Sequence, residues 1–188
     1  MLAVLDDPAV RARAYPITVE NYHRMFDLGM LARDVELIRG ALVEKMPKSP
    51  LHASIVELLR EHFTLCLPQG WFARQEQPLT LSDSEPEPDV AVIRGSRAEF
   101  RKSHPESATL ILEVCVSSEA IDRLKLQIYA EAGVPECWLI LAEERVVERH
   151  TEPRGAAYQR IERVAVPGTL ESTVFPSVAL PPAGLFPG

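Results

Sequence analysis

The stretch Pro88-Asp89-Val90-Ala91-Val92-Ile93, read with Leu110-Ile111-Leu112-Glu113-Val114-Cys115-Val116, decides the fold. Both are short apolar runs rich in β-branched residues, the pattern of strands buried on both faces of a sheet. Each carries one acid where an apolar side chain belongs. An isolated carboxylate there costs roughly several kcal/mol even after the protein relaxes, so it requires a cation or strong donors. Two such acids on successive strands are most simply explained by one divalent ion held between them.

Upstream, Val35-Glu36-Leu37-Ile38 and Ala41-Leu42-Val43-Glu44-Lys45-Met46 flank Arg39-Gly40, a β-hairpin pattern. Ser49-Pro50 reads as the cap and first position of a longer helix, with Leu51, Ile55, Leu58, Leu59, Phe63 and Cys66 at helical spacing. Thr18 caps a shorter helix through Met25-Phe26, and residues 1–16 read as a loosely held lead-in. Trp71-Phe72-Ala73 opens an extended stretch running to Leu81, and Glu85-Pro86-Glu87-Pro88 delivers the chain to Asp89. Phe100 lies in a polar link with helical potential.

After Ser117-Ser118 a second helix runs to about Ala132, with Ile121, Leu124, Ile128, Tyr129 and Ala132 as its core stripe. The buried run Cys137-Trp138-Leu139-Ile140-Leu141 follows, then Val146-Val147-Glu148-Arg149-His150 as its hairpin partner and a remainder patterned like edge strands. This order predicts an α/β fold over residues 17–188: a central mixed β-sheet flanked by helices, with an N-terminal β-hairpin and helix, in a single domain.

The 188 residues are 46% hydrophobic and 25% charged, the composition of a globular chain with a full core. No stretch approaches the roughly 20 apolar residues of a membrane span, and the N-terminus lacks the pattern of a signal peptide. The three cysteines, Cys66, Cys115 and Cys137, are scattered without zinc-type pairing, which fits a reducing cytoplasm. A net charge of −7 argues against indiscriminate binding to nucleic acid. A bound metal with a local basic edge offsets such a balance, and Arg94, Arg97, Arg101 and Lys102 are candidates for that edge, or else ordinary surface charge.

Lys125 falls within the apolar stripe of the second helix, just after the strand that carries Glu113, and is the natural partner of that glutamate. The alternative is a pair with Asp122 or a side chain that snorkels to water. Asp89 and Glu113 supply hard oxygen ligands suited to Mg²⁺ or Mn²⁺. The ion polarises a phosphorus centre and acidifies a bound water, while the ammonium steadies the charge of the transition state. His52, in the first turn of the long helix, is placed to orient a ligand or water, and Glu44 at the hairpin's end is an additional candidate acid. Their bland readings are a hydrogen-bonded, partly buried histidine and a solvated acid.

Several segments together resemble the Uma-type restriction endonuclease family of the PD-(D/E)XK nuclease superfamily. They are Glu85-Pro86-Glu87-Pro88-Asp89-Val90-Ala91-Val92, Leu112-Glu113-Val114, Asp122-Arg123-Leu124-Lys125 and Tyr129-Ala130-Glu131-Ala132-Gly133-Val134-Pro135-Glu136-Cys137-Trp138. Glu36-Leu37-Ile38-Arg39-Gly40 and Ser49-Pro50-Leu51-His52 resemble the same family's hairpin and helix start. The resemblance implies a restriction endonuclease-like fold and metal-dependent hydrolysis of DNA phosphodiester bonds. It matches Asp89 to the aspartate of the Pro-Asp pair and Glu113 to the second acid. The superfamily's lysine, two residues beyond that acid, is replaced here by Cys115, and the resemblance implies that Lys125 supplies it from the following helix.

Two other functions stay open on the residues alone. One is a non-catalytic binding or assembly protein that retains the fold, and the other a phosphohydrolase of small nucleotides. For duplex DNA, two clefts are needed, so a homodimer is expected. The apolar tail residues Val174, Phe175, Val178, Leu180, Leu185 and Phe186, with the N-terminal lead-in, are the candidate interface.

Overall fold

The two acid-bearing runs become neighbouring strands near the middle of one sheet. The computed structural model describes residues 7–32, 34–117 and 119–186. A hairpin of β1 (Val35–Ile38) and β2 (Ala41–Glu44) stands apart from the main sheet. The sheet itself is built from β3 (Trp71–Gln75), β4 (Val90–Arg94), β5 (Leu110–Cys115), β6 (Glu136–Leu141), β7 (Val146–Arg154) and β8 (Ala157–Ala165), in that spatial order. All pairs are antiparallel except β5 with β6. A parallel pair needs a crossover. Here it is α4 (Glu119–Glu131), the helix expected from the sequence; Ser118, just before it, lies outside the described residues.

The alternation of β5 sorts its side chains between two cores. Leu110, Leu112 and Val114 pack with Ile55, Val56, Leu59 and Phe63 of α3 (Pro50–Cys66). Ile111 and Cys115 pack instead with Leu126, Ile128 and Tyr129 of α4. Period two therefore assigns Glu113 to the α4 side. The α3 helix starts where its sequence says: the Ser49 hydroxyl accepts from the His52 N–H at 3.2 Å, with Pro50 at the first helical position. Likewise Thr18 caps α2 (Val19–Asp27) by accepting from the Asn21 N–H.

The structure corrects the sequence reading in four places. The lead-in contains a turn of helix, α1 (Pro8–Arg11), because Asp7 caps it and Pro8 suits its first position; residues 1–6 lie outside the described part. The link around Phe100 is a series of turns, with no helix. On α4 the buried residues are Asp122, Lys125, Leu126, Ile128, Tyr129 and Ala130, while Ile121 is half-buried and Ala132 exposed. Its first half thus turns a polar face toward the acids of the sheet.

The fourth correction concerns the tail. Phe175, Val178, Leu180, Leu185 and Phe186 all join the α3-side core of the same chain, so they supply no interface. Two short strands, β9 (Leu170–Glu171) and β10 (Ala179–Leu180), shape this tail. Glu136, fully buried at the start of β6, fastens it: its Oε2 accepts from the N–H groups of Thr173 at 2.8 Å and Val174 at 3.1 Å, and from the Ser172 hydroxyl. Both tryptophans are core residues, Trp138 edge-on to Phe63 and Trp71 edge-on to Phe175. Among the described residues no helix is long and apolar enough to cross a membrane.

Candidate active site

Three acids line up across the strand ends. The β4–β5 register pairs Val90 with Leu112, so one step further sets Asp89 against Glu113. The β3–β4 register pairs Gln75 with Val90, and one step further sets Glu76 against Asp89. Hydrogen bonds bind this row together. The Asp89 N–H donates to Glu113 Oε2 at 3.2 Å, and the Val114 N–H returns a bond to Asp89 Oδ2 at 2.7 Å. His52 of α3 approaches from above, with Nε2 3.1 Å from Asp89 Oδ2.

Glu113 is the most constrained of the row, with 2% of its surface exposed. Burial pushes its pKa up to about 8, opposed by the Lys125 ammonium, reinforced by Asp89 and Asp122, and opposed again by the Tyr129 hydroxyl. That hydroxyl donates to Oε1 at 2.6 Å. Lys125 is buried too, with Nζ 4.0 Å from Glu113 Oε1. Its nearer partner is Glu36 of β1, at 2.9 and 3.1 Å from the two carboxylate oxygens. Burial alone would depress the lysine, yet the carboxylates of Glu113 and Glu36, with Asp89, hold its pKa above the ordinary value. The ammonium is therefore a fixed positive charge at neutral pH.

These groups open into one cleft of about 100 Å³, and Glu44, His52, Asp89, Glu113 and Lys125 all line it. Glu44 is exposed at the rim, without a place in the bonded network of the floor. Six acids line the cleft, Glu36, Glu44, Glu87, Asp89, Glu113 and Asp122, against three lysines, Lys45, Lys48 and Lys125. Lys45 is held by Glu87 at 2.9 Å and Lys48 by Glu76 at 2.6 Å. The donor set of hard oxygens and one imidazole suits a divalent cation, and the excess of buried acid over cation is what such an ion would relieve.

Sequence reasoning missed four contributors. Glu36 was visible as an acid inside the hairpin's apolar strand but was read only as part of the hairpin. Tyr129 was assigned to the apolar stripe, although it stands one turn beyond Lys125. Asp122 was read as surface, and it is buried. Glu76 left no local signal, since only strand register brings it to Asp89.

The basic edge is displaced. Arg94 ends β4 opposite Trp71, five residues from Asp89, which is about 17 Å along a strand. Among the described residues no arginine lines the cleft. Cys115, at the superfamily's usual lysine position, is buried in the α4-side core, where an ammonium would be expelled. Lys125 instead enters the cleft from α4.

Residues 19–183 match the family model Uma2, described as "Putative restriction endonuclease". A solved structure titled as a putative nuclease belonging to DUF820, from Anabaena variabilis, superposes with a TM-score of 0.72 at 19% identity. The alignment covers 91% of this chain and 98% of that one, so the fold is shared throughout. No match is found among curated proteins. With a mixed sheet presenting paired acids at its strand ends, a nuclease fold, and a match spanning nearly the whole chain, the protein belongs to the Uma2 family of restriction endonuclease-like proteins.

Proposed function

We propose that this chain is a divalent-metal-dependent endonuclease acting on DNA, with Asp89 and Glu113 as ligands of Mg²⁺ or Mn²⁺ and Lys125 as the catalytic cation. The observation that carries this reading is the placing of two hydrogen-bonded acids and a buried ammonium in one acid-rich cleft. When bound, the ion supplies Lewis-acid activation of the phosphate and of the attacking water. The chain's own residues do the rest. Lys125 keeps its proton and faces charge that accumulates on the phosphoryl oxygens, in a site where burial strengthens that interaction. Glu36 positions Lys125. Tyr129 holds one oxygen of Glu113 and so aims the other toward Asp89. His52 steadies Asp89.

Plasmid and single-stranded DNA with Mg²⁺ or Mn²⁺, tested against Asp89→Asn, Glu113→Gln and Lys125→Met, checks the proposal. Metal-dependent nicking by the wild type alone is expected; equal products from all four proteins would sink it. One observation favours a second reading: the small cleft lacks arginine among its described lining residues, which suits a small nucleotide better than a long polyanion. Turnover of free nucleotides without polymer cleavage selects that reading. Cutting a duplex calls for a pair of clefts, so a homodimer remains part of the proposal, and light scattering at micromolar concentration tests it. A cytoplasmic location also remains part of it.

A further inference from the structure

We infer that His52, Glu76 and Asp89 form a second divalent-cation position beside the Asp89–Glu113 pair, with Asp89 shared between the two. This deepens the metal-dependent reading above. One ligand atom from each of the three residues lies within 4.8 Å of the others, the spacing at which a single ion reaches all of them.

Three independent features show a built arrangement. Glu76 adopts a left-handed backbone, φ +51, which a side chain bearing a Cβ rarely takes. Its N–H donates to the carbonyls of Pro88 and Asp89, both at 3.1 Å, so this strained conformation is tied to the residue it would serve with. His52 Nδ1 is buried without a hydrogen-bond partner, and Nε2 meets Asp89 alone. A structural core histidine has both nitrogens satisfied; this one is spent on a carboxylate. Finally, the Lys48 ammonium sits 2.6 Å from Glu76, on the open side of the cluster. The position already attracts a cation, and Lys48 is its resident competitor.

The donor chemistry separates the two positions. Asp89 with Glu113 offers oxygen only, which Mg²⁺ accepts. Adding imidazole nitrogen turns the preference toward Mn²⁺ and later transition metals. The strand register explains the sharing: Asp89 is the middle member of the Glu76–Asp89–Glu113 row and has an acid on each side.

Mn²⁺ is the probe. Calorimetry and electron paramagnetic resonance on the full chain should count two ions per wild-type chain. Excess Mg²⁺ should displace one. The retained ion should show nitrogen hyperfine coupling, His52 being the histidine among the described residues that line the cleft. Glu76→Gln should lose the nitrogen-coupled ion and keep the other, and Glu113→Gln should do the reverse. Lys48→Met should tighten the nitrogen-coupled ion several-fold. One ion per wild-type chain without nitrogen coupling, unchanged in Glu76→Gln, overturns the second position while leaving the Asp89–Glu113 reading intact. Nitrogen-coupled binding that persists together with metal-independent cleavage would instead overturn the metal-dependent reading and keep the site.

Discussion

Two buried glutamates stand on adjacent parallel strands and have opposite fates. Glu136 opens β6 with no exposed surface, and its carboxylate is surrounded by donors: the Trp138 indole on one oxygen and Ser172, Thr173 and Val174 on the other. Glu113 in β5 is nearly as buried. It has one tyrosine hydroxyl, one backbone N–H, and a lysine 4.0 Å away that is committed to Glu36. Saturated with donors, a buried carboxylate is a fastener. Left short of positive charge beside two more acids, it is a site that awaits a cation. Burial is common to both; the count and kind of partners separates them.

The largest expected effects split along this line. Glu136→Ala should cost about 3–5 kcal/mol of stability, because it strips the acceptor from several buried donors at once. Activity per folded molecule should survive. Glu113→Gln should do the converse, lowering cleavage by about 10²–10³-fold as transition-state stabilisation is lost, with thermal stability held or raised. If the two variants melt alike, the contrast between fastener and site collapses.

The pH dependence sharpens it. Glu113 has a folded pKa of about 8 against an ordinary 4.5, so between these values the folded chain holds a proton that the unfolded chain has released. Stability from this group is therefore full at low pH and falls as pH rises through that window. The metal-free protein should show this slope in Tm, Glu113→Gln should lose it, and saturating Mn²⁺ should flatten it. A slope unchanged in Glu113→Gln would assign it to another group.

Smaller effects follow from single donors. Tyr129→Phe removes a bond to Glu113 and should weaken Mn²⁺ by about 10-fold, as changes behind a metal ligand do; titration calorimetry measures it. Thr173→Val leaves Glu136 with other donors, so a loss of about 1 kcal/mol in a denaturant midpoint is expected. A larger loss would mean that the tail clamp depends on this one residue.

Hairpin, long helix, crossover helix and core strands were legible in the chain because each has a local cause: a cap, a turn glycine, a period. So were Asp89, Glu113 and Lys125, as charges inside apolar patterns. Glu136 was not singled out, since an acid at the first position of a strand is locally unremarked. The basic edge went to the wrong end of its strand, because proximity along the chain is not proximity to Asp89 when a strand runs straight for about 17 Å. The tail's apolar residues were visible, but what they cover was not.

By itself, then, the sequence determined the kinds of element, their order, and which charges were out of place, because capping, periodicity and the cost of burying charge act over a few residues. Only the tertiary structure decided what those charges meet. Strand register set Glu76 and Glu113 on either side of Asp89, the hairpin delivered Glu36 to Lys125, and the returning tail saturated Glu136. Each of these partnerships joins residues far apart in the chain, through contacts that no local pattern encodes.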